Sequence, residues 1–249
     1  MPRQARKKSS NNIYHIMLRG INRQQIFEDQ QDNMKFLEIL KEYQPVSGYQ
    51  VFAYCLMGNH IHLLMRFDDE PIEQAFKRIG AKYVYWFNTK YGRVGHLFQD
   101  RFKSEPIEGD RYFLSCLRYI HQNPVKAKLA KINQYPYSSY NVYLDPAQDG
   151  LIRTDFLYSL INPEQFVEFH KQTEDQKFAD IHLDQAIKLT DEDARKIIYK
   201  ICKCNNATEF QALESDQKQI YLKKLKEHGI GIRQLSRLTG ESYYLIQKS

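Results

Sequence analysis

Two runs of β-forming residues, 49–56 and 61–67, flank Gly58-Asn59, and this constrains the chain's fold more than any other feature. Gly followed by Asn suits the backbone of a tight turn, and strands on either side of such a turn pair as an antiparallel hairpin. The rest of the first half has to be arranged around that hairpin. A strand precedes it at Ile13–Leu18. Between the two, Phe36, Leu37, Ile39, Leu40 and Tyr43 recur at helical spacing, which predicts a helix from Asp32 to Tyr43 that Ser47-Gly48 stops. After the hairpin, Pro71 opens a helix running to about Lys90, with Ile72, Phe76, Ile79 and Tyr83 on one stripe. Residues 102–107 read as a fourth strand. Asp110 then caps a helix from Arg111 to about Gln122, which Pro124 ends. The order is β-α-β-β-α-β with one helix added. This predicts an α+β fold of the ferredoxin-like, split βαβ kind: an antiparallel sheet with helices on one face and the other face open for binding.

Asp145 to Gly150 is a turn-rich break and the expected domain boundary. The division is then a basic flexible tail (1–12), a domain at 13–145 and a helical C-terminal domain at 146–249. Helices are expected at Pro163–His170, at Asp191–Cys204 with Asp191 as cap, and at Gln217–His228. Ile232–Leu238 and Ser242–Lys248, joined by Thr239-Gly240-Glu241, form a helix-turn-helix pattern.

The net charge is +6. Residues 1–145 hold 21 Lys and Arg against 14 Asp and Glu, and the remainder 15 against 16. The excess therefore lies on the first domain, where it suits a phosphate-bearing partner or simply aids solubility. No apolar run is long enough to span a membrane, and no secretory signal follows the basic start. Cys55, Cys116, Cys202 and Cys204 have neither disulfide-framework nor zinc spacing, so the expected setting is a reducing cytoplasm.

The chemistry concentrates in two places. His60 and His62 are two apart on a strand and so share a face. Two such imidazoles can hold one divalent ion and leave positions open for substrate oxygens, although they could equally be two surface histidines. Tyr119 and Asn123 are four apart on a helix, so a phenol and a carboxamide lie one turn apart. The plain alternative is a packing tyrosine followed by a helix-stopping asparagine.

Taken together, four blocks resemble the REP-associated tyrosine transposases, relatives of the insertion-sequence single-strand transposases. The blocks are Tyr14–Gly20 with Asn22-Arg23 and Ile26-Phe27, Gly58–Leu63, Gly95–Ser104, and Leu117–Ala127, and they span roughly residues 12–145. The resemblance implies that His60 and His62 are metal ligands and that Tyr119 is the nucleophile. It also implies Mg²⁺ or Mn²⁺ as the cofactor, and single-stranded or hairpin DNA with palindromic repeats as the partner. Broader relatives carry a glutamine four after the tyrosine as third ligand; here Asn123 occupies that position. Arg19, Arg23, Arg101 and Lys103 fall within the blocks as candidate DNA contacts. Arg233, Arg237 and Tyr243 of the helix-turn-helix, which resembles that of bacterial initiator proteins, are further candidates. Tyr112 is a rival nucleophile, and His15 and His96 are expected to be structural or DNA-facing. The expected activity is cleavage and rejoining of DNA through a 5′-phosphotyrosine, by a monomer or homodimer, in the cytoplasm near the nucleoid. The alternatives are a non-catalytic DNA-binding regulator on the same scaffold and a rolling-circle replication initiator.

Overall fold

A computed structural model of the chain describes residues 6–145, 150–172, 178 and 189–249. Arg3 and the middle of the 145–150 turn lie outside the described residues. Strands β1 (Ile13–Arg19), β2 (Tyr49–Met57), β3 (His60–Phe67) and β4 (Lys103–Pro106) form one antiparallel sheet in the order β2-β3-β1-β4. Helices α1 (Gln30–Ser47) and α2 (Ile72–Lys90) make the two crossovers, and α3 (Asp110–Lys126) follows β4. This is the expected split βαβ order.

Side-chain alternation along β3 divides the sheet's two faces. Phe67 shares a face with Ile61, Leu63 and Met65, and it meets Phe76 of α2 at 6.2 Å between ring centroids. Tyr49, its partner across β2, donates a hydrogen bond to the Leu40 carbonyl of α1. Helices α1 and α2 therefore cover this face. The opposite face carries His60, His62 and Leu64, together with Ile13, Cys55 and Met57. Onto it α3 packs Phe113, Cys116, Leu117 and Ile120, all at most 1% exposed. The expectation of helices on one face thus describes α1 and α2 but not α3. The second face is too apolar to stand in water, and each large side chain buried there contributes about 1.5–3 kcal/mol.

Pro124 does not end α3. A proline within a helix removes one donor, and the ladder resumes beyond it: the Ala127 N–H donates to the Asn123 carbonyl at 2.9 Å. Asp110 is not the cap either. Gly109 holds that position at φ 77°, and Asp110 sits in the first turn, where its charge favours the helix N-terminus.

The expected boundary at 145/146 falls inside one compact unit, Met1–Ile26 with Gln30–Asp184. Chain beyond the break packs back on the sheet and α3. The Arg153 N–H donates to the Val51 carbonyl, and α4 (Asp155–Leu160) sets Phe156 against Phe52 and Phe113. The helix expected at Pro163–His170 is a 3-10 turn, Pro163–Gln165, leading into α5 (Phe166–Lys171). The tail is docked from Arg6 onward, with the guanidinium bonded to Glu73 and the Phe102 carbonyl and lying 3.8 Å from the Phe102 ring.

The second unit, Phe27–Asp29 with Gln185–Ser249, is helical. It contains α6 (Asp191–Cys202), α7 (Ala207–Gln211), α8 (Ser215–Glu227), α9 (Ile232–Thr239) and α10 (Tyr243–Lys248) around Ile198, Phe210, Leu222, Leu225, Leu235 and Ile246. Thr190, rather than Asp191, caps α6 with its side chain. Asp191 is buried and pairs with Arg237, which also reaches Glu28. Gly240, at φ 71°, closes α9 before Ser242 caps α10.

Candidate active site

The site lies between the sheet and α3. Pairing across the strands sets Arg19 opposite His60, Met17 opposite His62 and His15 opposite Leu64. On the other edge Lys103 pairs with Met17 and Glu105 with His15. Paired residues share a face, so Arg19, His60, His62, His15, Lys103 and Glu105 all project toward the α3 side.

His60 and His62 are 3% and 0% exposed, with ring centroids 5.1 Å apart. Each has its Nδ1 engaged. His60 Nδ1 lies 2.6 Å from Asn59 Oδ1, an atom that only accepts, so this nitrogen carries the proton. The Asn59 amide nitrogen in turn donates to the Arg23 carbonyl. His62 Nδ1 lies 2.9 Å from His15 Nε2, and His62 Nε2 is buried with no hydrogen-bond partner among the described residues. Burial, followed by the charge of Arg19, lowers the His60 pKa to about 4. Burial, then His60, His15 and Lys126, pushes His62 well below the usual imidazole range. Both rings are therefore neutral at neutral pH, the form in which imidazole binds a metal.

Tyr119 comes down from α3, 4% exposed, with its ring edge-on to His62 at 5.7 Å and to His15 at 5.8 Å. Lys126, seven residues on and so on the same helix face, places its ammonium 4.3 Å from the Tyr119 ring centroid. Phe178 packs on the same ring at 4.8 Å. Asn123 is 2% exposed, and its amide nitrogen donates to the Tyr119 carbonyl, so the atom it can offer a metal is Oδ1. Among the described residues no three His, Cys, Asp or Glu side chains converge as a metal-holding group. The neutral nitrogens of His60 and His62 and the Asn123 Oδ1 are atoms of the kinds that can bind a divalent ion.

Tyr112, the rival nucleophile, donates to Glu105 at 2.6 Å, and burial followed by this bond raises its pKa. It is a buttress for Glu105. Arg101 and Lys103 are exposed, Arg19 is half-buried, and Arg23 sits in a left-handed turn at φ 58°. In the second unit Arg233 and Tyr243 are exposed, whereas Arg237 is held by its carboxylates. Sequence reasoning gave Asn59 a place only in the hairpin turn and assigned no role to Glu105, Lys126 or Phe178. Of these, Lys126 had a usable signal in its helical spacing from Tyr119. Glu105 becomes visible only once the β1–β4 register is known.

Residues 8–123 match the model of the family "Transposase IS200 like". A protein of Haemophilus influenzae assigned as a REP-associated tyrosine transposase is 30% identical over 106 residues, covering 37% of this chain. The match spans 60% of that relative's length. A solved REP-associated tyrosine transposase bound to a REP hairpin aligns with 62% of this chain and 90% of its own, at 19% identity and a TM-score of 0.49. Among the described residues no helix is long and apolar enough to cross a membrane. The part of the chain that holds His60, His62 and Tyr119 is thus similar to the IS200-like transposases, in agreement with the resemblance carried by its motifs.

Proposed function

We propose that this chain cleaves and rejoins single-stranded DNA beside hairpin-forming palindromic repeats, with Tyr119 as the nucleophile. The observation that carries this reading is the edge-on meeting of Tyr119 with His62, on the sheet face that His60 shares. His60 and His62, through Nε2, and Asn123, through Oδ1, would hold Mg²⁺ or Mn²⁺. A divalent ion there would offset the charge of a nonbridging phosphate oxygen and orient the scissile phosphate. Tyr119 attacks phosphorus in line: a tyrosyl O–P bond forms, the P–O3′ bond breaks, and the proton lost by the phenol ends on the leaving 3′-oxygen. The products are a 5′-phosphotyrosine and a free 3′-hydroxyl, and a later 3′-hydroxyl reverses the step without ATP. An ordinary phenol, with a pKa of about 10, is a poor nucleophile at neutral pH. The Lys126 ammonium, 4.3 Å from the ring centroid, would offset negative charge as it develops on the phenol. Arg19 and Lys103 flank the histidines on the same face and would meet flanking phosphates, with Arg23 and Arg101 beyond them. Histidines and tyrosine stand in one chain, so a monomer suffices for this chemistry. In the second unit Arg233 and Tyr243 would contact DNA, while Arg237 braces α9.

The test is incubation with Mn²⁺ and a labelled single-stranded hairpin from the chain's own genomic neighbourhood, alongside Tyr119→Phe. A covalent protein–DNA adduct that disappears in the variant is expected. Hairpin binding without an adduct in either form would instead favour a non-catalytic regulator.

A further inference from the structure

His15 is fully buried beneath α3, with one ring nitrogen toward His62 and the other toward Glu105. Its Nε2 lies 2.9 Å from His62 Nδ1, with the two rings nearly parallel at 21° and 5.2 Å between centroids. Its Nδ1 makes no hydrogen bond among the described residues, but it faces Glu105 Oε2 at 3.6 Å. The other oxygen of that carboxylate accepts the Tyr112 hydroxyl at 2.6 Å. The Tyr112 ring stacks on Phe178 at 5.3 Å and 9°.

One proton lies between His15 and His62, and either ring could own it. If His15 held it on Nε2, the His15 Nδ1 lone pair would face a carboxylate at close range, and His62 would carry its own proton on Nε2. If His62 holds it on Nδ1, His15 accepts at Nε2 and carries its proton on Nδ1, toward Glu105. The second arrangement sets opposite partial charges against each other at both ends, and the buried position strengthens that preference. We propose that His15, biased by Glu105 and steadied through it by Tyr112, is a positioning residue that fixes His62 as the Nδ1–H tautomer and so turns its bare Nε2 toward the metal position. Asn59 does the same for His60 by a shorter route, so both imidazoles present the same nitrogen. Carboxylate–histidine–metal arrangements of this kind orient the ligand ring and raise its basicity. The inference rests on reading His60 and His62 as metal ligands.

The tautomers are read by long-range ¹H–¹⁵N correlation spectra of protein labelled in histidine, recorded without metal. Mn²⁺ affinity is read by electron paramagnetic resonance. In the unsubstituted chain His62 is expected to carry its proton on Nδ1. His15→Leu removes the acceptor and should weaken Mn²⁺ binding by about 10- to 100-fold. His15→Gln, which keeps an oxygen near the Nε2 position, should recover most of that loss. Glu105→Gln, at a partly exposed site that tolerates the change, should lower the Nδ1–H population of His62 and serves if His15→Leu does not fold. A His62 proton found on Nε2, Mn²⁺ affinity unchanged in His15→Leu, or equal losses in the Leu and Gln variants would each overturn the proposal. Absence of Mn²⁺ binding in the unsubstituted chain would overturn the metal site itself. The metal-free spectra separate that failure from a failure of the relay.

Discussion

Acid should destabilise the first unit through its buried histidines, and the pair outside the candidate active site, His121 and His170, allows that contribution to be tested separately from His60 and His62. His121 and His170 form a buried chain: His170 Nδ1 donates to the Phe166 carbonyl, its Nε2 lies 2.9 Å from His121 Nδ1, and His121 Nε2 lies 2.8 Å from the Ser139 hydroxyl. Each ring can give one proton and take one, so the chain is complete when both are neutral. Burial, the largest effect, lowers the His170 pKa from 6.5 to about 4, with Arg118 acting in the same direction. Burial and then His170 push His121 well below the usual value. Because the folded pKa lies below the unfolded one, the unfolded chain binds more protons throughout the window between them. Stability is thus complete above pH 6.5 and falls as the pH drops toward 4. For His170 alone the loss is about 2 kcal/mol at pH 5 and about 3.4 kcal/mol well below pH 4. The single tryptophan, Trp86 on α2, belongs to this unit, so its fluorescence in urea titrations at pH 7, 6 and 5 follows this unit. In His170→Gln the decline between pH 7 and 5 should be shallower by about 2 kcal/mol than in the unsubstituted chain. Equal slopes in the two proteins, or stability that rises on acidification, would refute the argument.

Three further outcomes follow from the same geometry. Lys126→Met should slow adduct formation about tenfold, equivalent to ~1.4 kcal/mol, and move the pH–rate profile upward. Asp32 is fully buried and bonded to the Lys90 ammonium and the Tyr91 hydroxyl, so Asp32→Ala should cost roughly 3 kcal/mol in Trp86-monitored unfolding. Lys103→Ala should weaken hairpin binding alike across sequences, with a fall of about 0.7 in the salt slope if it meets one phosphate of a single strand, measured by fluorescence anisotropy over a salt series.

The four strands and the crossover helices were legible because each rests on a local signal: alternation, helical spacing, or a turn dipeptide. Helix ends were less so. Pro124 reads as a stop because it lacks a donor, but packing of Phe113, Leu117 and Ile120 against the sheet outweighs one lost hydrogen bond. Thr190 and Gly109 took the cap positions expected of Asp191 and Asp110, since a cap is chosen by where the chain enters the helix and not by which nearby side chain could serve. The turn at 145–150 looked like a domain border, yet the aromatic residues beyond it, Phe156 and Phe166, find their partners on the earlier unit. In the site, the His-Ile-His alternation and the tyrosine were readable within single elements. Glu105 and the direction of the His15 contact depend on strand register, which no stretch of the sequence states locally.

The roof over the histidines has a consequence for how this chain tolerates change. Interiors are close-packed, so a methylene added or removed under a helix shifts that helix by tenths of an ångström. Beneath α1 and α2 such a shift acts on stability first. Beneath α3 the same shift moves Tyr119 across the histidines, because Cys116, Leu117 and Ile120 set the spacing between helix and sheet. The chain therefore has two kinds of interior. In a saturation scan scored for both abundance and adduct formation, positions under the crossover helices would vary until folding fails. Those under α3 would lose activity while the protein was still plentiful.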